Sequence, residues 1–143
     1  MTTTRRPRTE PEPPEASGAF LQSAGFVVEE VTKDRCCGQL EVGPVHHTPW
    51  GVVHGGVYAT AVESAASIGA SAAVADQGQV AVGLTNTTQL LRSITEGRLR
   101  VEAQALHQGR TQQLWAVDIT DEAGRRVAHG ELRLQNVDGV PVR

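Results

Sequence analysis

An α+β domain with an antiparallel sheet is the fold class this sequence predicts, on three observations. The stretch Val57 to Ala75, VYATAVESAASIGASAAVA, is nearly all Ala, Ser, Gly and Val, and a run this poor in polar contacts reads as a helix buried on most of its surface. The segments on either side of it alternate apolar and polar residues, as half-buried strands do. The links between the later strands are short turns. One long helix set between early and late strands with hairpin-length links gives an antiparallel α+β arrangement. A sheet that curls around a central helix needs that helix to be thin, and small side chains supply the thinness.

The elements follow in chain order. Residues 1–16 are Pro-rich and charged, with nothing to bury, so a disordered tail is expected ahead of a single domain over residues 17–143. Ser17 to Gly25 suits a short helix with Ser17 as N-cap, Phe20, Leu21 and Ala24 on one side, and Gly25 closing it. Two extended segments come next, Phe26 to Thr32 and Arg35 to Val42. The second sets Cys36, Gly38, Leu40 and Val42 against Arg35, Cys37, Gln39 and Glu41. Gly43 to Val53 is a loop with two prolines and the pair His46-His47. The long helix opens near His54 or Gly55 and stops before Asp76-Gln77-Gly78. Strands are then expected over Val80 to Leu91, Arg98 to His107, Gln112 to Thr120 and Arg126 to Gln135. In the third of these Trp115, Val117 and Ile119 share a face, and Asp121 to Gly124 makes the last turn.

Composition removes several classes of function. With 143 residues the chain is one domain with room for a real core. A formal net charge of -3 argues against nucleic acid and against a polybasic membrane surface, and 3% aromatic residues leaves little for stacking on single strands. Cys36 and Cys37 are adjacent, so in a strand they point to opposite faces and pair poorly; they read as small buried hydrophobes in a reducing compartment. No apolar leader segment is visible, and Glu63 interrupts the one stretch long enough to cross a membrane. A cytoplasmic protein is expected.

Glu63 is the only charge between Val57 and Ala75. Isolated carboxylates are costly to bury, so a chemical use is the favoured reading and a structural Glu capped by a neighbouring Ser or backbone group is the alternative. Ahead of it, His54-Gly55-Gly56 opens the helix. A helix start offers free N–H groups at a positive dipole end, and glycines leave no Cβ in the way of an approaching oxygen. Tight packing or a turn at the helix entry explains the same glycines. His46, His47 and His54 lack a Cys, Asp or Glu that would complete a metal-binding spacing, so no metal is expected.

Trp50-Gly51-Val52-Val53-His54-Gly55-Gly56, with Glu63 seven residues after Gly56, resembles the hotdog-fold acyl-CoA thioesterases (PaaI-like). It is most similar to the branch of 4-hydroxybenzoyl-CoA and 1,4-dihydroxy-2-naphthoyl-CoA thioesterases, which carry Glu on the helix where a sister branch carries Asp. The likeness continues through Val82-Gly83-Leu84-Thr85-Asn86, Arg92-Ser93, Glu96-Gly97 and His107-Gln108-Gly109-Arg110 with Trp115.

The resemblance implies a curved antiparallel sheet wrapped on one long helix, in homodimers that share their active sites and usually pair into tetramers. It implies an acyl-CoA substrate with an aromatic or bulky acyl group, and no cofactor beyond the CoA of the substrate. Gly55 would polarise the thioester carbonyl through its N–H, with Gly56 beside it. Glu63 would act as nucleophile or as general base on water, which the residues leave open. His54 would position the carbonyl and the loop. Ser67 would hold Glu63 or the lytic water, unless it bonds back to the helix carbonyl. Arg92, and Arg110 with Thr111, would contact the phosphates of the nucleotide, and Asn86 falls in a segment near the acyl pocket. Thr48 departs from the pattern, because close relatives carry Gln six residues before the His. That departure leaves a non-hydrolytic acyl-CoA-binding protein as the alternative. A dehydratase of the same fold ranks last, since its paired His and acid form a different motif.

Overall fold

The computed structural model describes residues 18–139. The expected tail and the expected helix cap Ser17 lie outside the described residues. Helix α1 (Ala19–Ala24) instead begins after Gly18, which offers no side-chain cap, and closes at Gly25 with φ 81°. Strands β1 (Phe26–Val31) and β2 (Arg35–Val42) form a hairpin, and a 3₁₀ turn at Pro44–His46 leads into the loop before the long helix α2 (Gly55–Val74). After a 3₁₀ turn at Ala75–Gln77 come β3 (Gln79–Leu90), β4 (Gly97–Gln108), β5 (Gln112–Thr120) and β6 (Arg126–Asp138).

The strands make one six-stranded sheet in the order β1-β2-β4-β5-β6-β3, each pair antiparallel. Helix α2 crosses the sheet and touches every strand, so the expected architecture of a curved antiparallel sheet around a long helix holds. The alternation read from β4 and β5 is realised: Leu99, Val101, Ala103, Trp115, Val117 and Ile119 all face the core. Strand β6 runs three residues past the expected Gln135 because its end pairs with the start of β3, Gln79 opposite Asp138.

Helix α2 is covered over most of its surface, as expected: of its residues only Gly56 is exposed. Tyr58, Ala61, Val62, Ala65, Ala66, Gly69, Ala70 and Val74 form its buried stripe, spaced at the three- and four-residue intervals of one helical face. Thr60, Glu63, Ser64, Ser67 and Ser71 lie on the other side and are only partly buried. A single sheet covers only one side of a helix, and small residues all round the helix do not reveal which side that is.

The thin helix has a definite beneficiary. A Cβ at Gly69 would stand 2.6 Å from the ring of Trp115, which is fully buried and donates its indole N–H to Gln113 Oε1 at 2.9 Å. Alanine would improve helix propensity by about 1 kcal/mol, but overpacking a well-filled core costs about 1–3 kcal/mol. The tethered ring cannot slide aside, so Gly69→Ala is expected to be destabilising by about 1 kcal/mol. Thermal unfolding checks this, and a variant as stable as wild type removes the argument.

Cys36 and Cys37 are both buried and unpaired with each other. Cys36 joins the core, where burial pushes its thiol up to about 11, so it stays protonated and inert. Cys37 faces the other way, where its thiol feels the charges of Arg35, Glu102, Arg100 and Glu30. Tyr58 holds the only buried side-chain polar atom without a partner among the described residues, and burial pushes its phenol up to about 12.

Candidate active site

The loop before α2 is a small hairpin. His47 bridges Val53, the Thr48 N–H bonds to Val52 O at 2.7 Å, and Gly51 N–H returns to Thr48 O at 3.0 Å. The Thr48 hydroxyl accepts the Trp50 amide at 3.3 Å, so this side chain shapes the turn. Gly51 takes φ 80°, and Trp50 projects from the tip, 85% exposed. Each loop histidine is engaged with backbone: His46 Nε2 with Ser23 O at 2.7 Å, His47 Nε2 with Thr95 O at 2.6 Å, and His54 Nδ1 with Gly56 N–H at 2.8 Å.

His54 is the N-cap of α2, with φ -63° and ψ 132°. Because its Nδ1 accepts a hydrogen bond, the neutral ring carries its proton on Nε2. The Gly56 amide is therefore occupied by the cap, which narrows the expected pair of amides to one. Gly55, at the first helical position, has no intrahelical acceptor for its N–H, and no other acceptor meets it among the described residues. A Cβ at Gly55 would stand 2.5 Å from Leu90 Cδ1, so β3 closes over this end of the helix.

Glu63 lies against β3. Asn86 Nδ2 donates to Glu63 Oε2 at 3.1 Å and to Ala59 O at 3.0 Å, and Thr88 Oγ1 donates to Asn86 Oδ1 at 2.7 Å. The carboxylate fits because the strand yields: the register of β3 on β6 shifts between Gly83 and Thr85, and a Cβ at Gly83 would stand 2.6 Å from Glu63 Oε1. A bulge beside a glycine makes room for an acid and a strand amide turns it. Gly83 and Thr88 were missed as site residues. A Gly inside a strand pattern was the cue, since it marks a bulge or a close approach.

Ser67 sits one turn beyond Glu63, but no hydrogen bond joins the two among the described residues. The hydroxyl that bonds back to the helix is that of Thr60, to Gly56 O at 2.7 Å. Arg92 is exposed after β3, its N–H on Val127 O at 3.1 Å. Arg110 and Thr111 lie exposed in the β4–β5 turn, and Arg110 shares a cleft with Ala73 and Val74 at the far end of α2.

One protomer thus brings Glu63 to Asn86 and His54 to Gly56, and leaves other pairs apart. Glu63 is eight residues from Gly55, about 12 Å along the axis at ~1.5 Å per residue. Arg92 and Arg110 stand near opposite ends of the helix. No group of three His, Cys, Asp or Glu able to hold a metal is found among the described residues, and no helix there is long and apolar enough to cross a membrane.

Comparison with known proteins matches residues 51–128 to the family model of the thioesterase superfamily. The candidate esterase Rv1847 of Mycobacterium tuberculosis is 41% identical over 133 residues, 92% of this chain and 95% of that protein. Its solved structure superposes with a TM-score of 0.82 at 43% identity, covering 86% of this chain and 99% of the other. The 1,4-dihydroxy-2-naphthoyl-CoA hydrolase of Listeria monocytogenes is 36% identical over 101 residues, 71% of this chain and 81% of that protein. The proofreading thioesterase EntH of Cronobacter sakazakii is 31% identical over 115 residues, 80% of this chain and 83% of the other.

Proposed function

The chain belongs to the thioesterase superfamily, and on that premise we propose that it hydrolyses an acyl-CoA thioester with an aromatic or otherwise bulky acyl group. The observation that carries the proposal is the carboxylate of Glu63, seated in the β3 bulge and oriented by Asn86. Hydrolysis of a thioester needs an attacking oxygen and a group that holds charge on the carbonyl oxygen. Glu63 supplies the first, by direct attack or by taking a proton from water. The free N–H of Gly55, at the positive end of α2, supplies the second. His54, with its proton on Nε2, positions the carbonyl.

The spacing on α2 shapes the assembly. Reactive groups must stand within about 3 Å of the carbonyl they act on, and about 12 Å separates Glu63 from Gly55 on one helix. A complete site therefore takes Gly55 from one copy and Glu63 from another. Two features support pairing through this side: β3 is a sheet edge bonded only to β6, and it exposes Val82 and Leu84. An edge of this kind is a template for another strand. The working unit is a homodimer with two shared sites.

Thiol release from a panel of aryl- and alkyl-CoA esters tests the activity, with sedimentation to read the assembly. Turnover of benzoyl-type esters by a dimer is expected, with aryl esters preferred over acetyl-CoA. A monomer with full activity overturns the shared site, and no release from any ester overturns the enzyme.

A further inference from the structure

Gln113 and Asn136, 1% and 7% exposed, are the only buried amide or charged side chains among the described residues. They bond to each other, Gln113 Nε2 to Asn136 Oδ1 at 2.9 Å. Gln113 also donates to Ala70 O of α2 at 3.0 Å and accepts the Trp115 indole N–H at 2.9 Å. Asn136 Nδ2 donates to Gly109 O at 3.2 Å and Arg110 O at 3.3 Å, while its own N–H meets Thr111 O at 2.8 Å. Every carbonyl of the β4–β5 turn from Gly109 to Thr111 is thus drawn inward to Asn136. The side chain of Arg110 is left outside, lining a cleft of about 460 Å³ with Lys33, Gln77 and Gln108, and Thr111 beside it in the chain is exposed. Arg110 forms no ion pair among the described residues.

A tight hairpin turn does not need this. Its carbonyls are satisfied by water at the surface, and an apolar pair in place of the two amides would avoid the desolvation that burying them costs. What a fully paired buried network adds is fixed geometry. Here the network ties the turn to the backbone of α2, two turns beyond Glu63.

We propose that Gln113 and Asn136 are positioning residues, which hold the β4–β5 turn so that Arg110 grips the phosphates at the nucleotide end of the substrate. This rests on the CoA-thioester reading above. Phosphate recognition by an Arg fork depends on geometry as well as charge. A turn released from Asn136 keeps its cation and loses its aim.

The test is the affinity for coenzyme A itself, measured by titration calorimetry. Asn136→Ala, and separately the volume-keeping Gln113→Leu, are each expected to weaken CoA binding about tenfold, the scale of one well-made hydrogen-bonded contact to a charged group. In an Arg110→Ala background neither change should weaken it further, because coupled residues do not add. A folded variant that binds CoA within twofold of wild type overturns the proposal. So does a full additional loss in the Arg110→Ala background, a wild type that binds no CoA, or failure of both variants to fold. A wild type that binds CoA yet releases no thiol from any ester sinks the hydrolytic reading and leaves this one standing.

Discussion

Glu63→Gln is expected to lower kcat for thioester hydrolysis by about 10²–10⁴, the range a positioned acid–base or nucleophilic group supplies. Gln keeps the shape of the side chain, and its carbonyl oxygen can accept the hydrogen bond that Asn86 Nδ2 now gives to Glu63 Oε2. The bulge at Gly83 and the partly buried helix face need no repacking. The loss should therefore appear in turnover while circular dichroism and thermal unfolding stay at wild-type values. Thiol release measured at saturating substrate decides it, and a variant within a few-fold of wild type removes Glu63 from the chemistry.

Gly55→Pro is the second large effect. Proline at the first helical position is compatible with the helix, and His54 already has the extended backbone that a following proline requires. The ring must displace Leu90 Cδ1, the free end of a flexible side chain. What the substitution removes is the one N–H proposed to hold charge on the carbonyl oxygen. Loss of such a donor costs about 10²–10³ in kcat. The two variants also test the shared site together. Refolded as a mixture, Glu63→Gln and Gly55→Pro chains form mixed dimers in which one site has both wild-type groups, so activity should return. A mixture as inactive as its components would show that each chain works alone.

Much of the fold was legible because its causes are local. The alternation in Arg98 to His107 and Gln112 to Thr120 follows from a sheet with one covered face, and the Ala-Gly-Ser run from a helix that must lie close to it. The order of the strands was not legible. Nothing in Gln79 to Leu90 says that this strand sits on the edge beside β6, because that depends on where α2 delivers the chain. The site divides in the same way. Glu63 and Gly55 stand out by type and spacing, whereas the bond from Asn86 to Glu63 joins residues 23 apart and exists only through the packing of α2 on β3. Gln113 is a different case. Strand parity places it on the inward face with Trp115, Val117 and Ile119, and only its polarity argued for the outside. Which side of α2 the sheet covers was not legible, since a uniformly small helix carries no mark of it.

The chain's two tryptophans occupy opposite extremes, Trp50 at 85% exposure on the loop before α2 and Trp115 at 0% in the core. Their emission should separate accordingly. A red component, open to acrylamide, would come from the loop and respond to whatever settles near the helix entrance. A blue component, shielded from quencher, would change only when the domain melts. Intrinsic fluorescence can therefore follow occupancy and unfolding in one unlabelled sample.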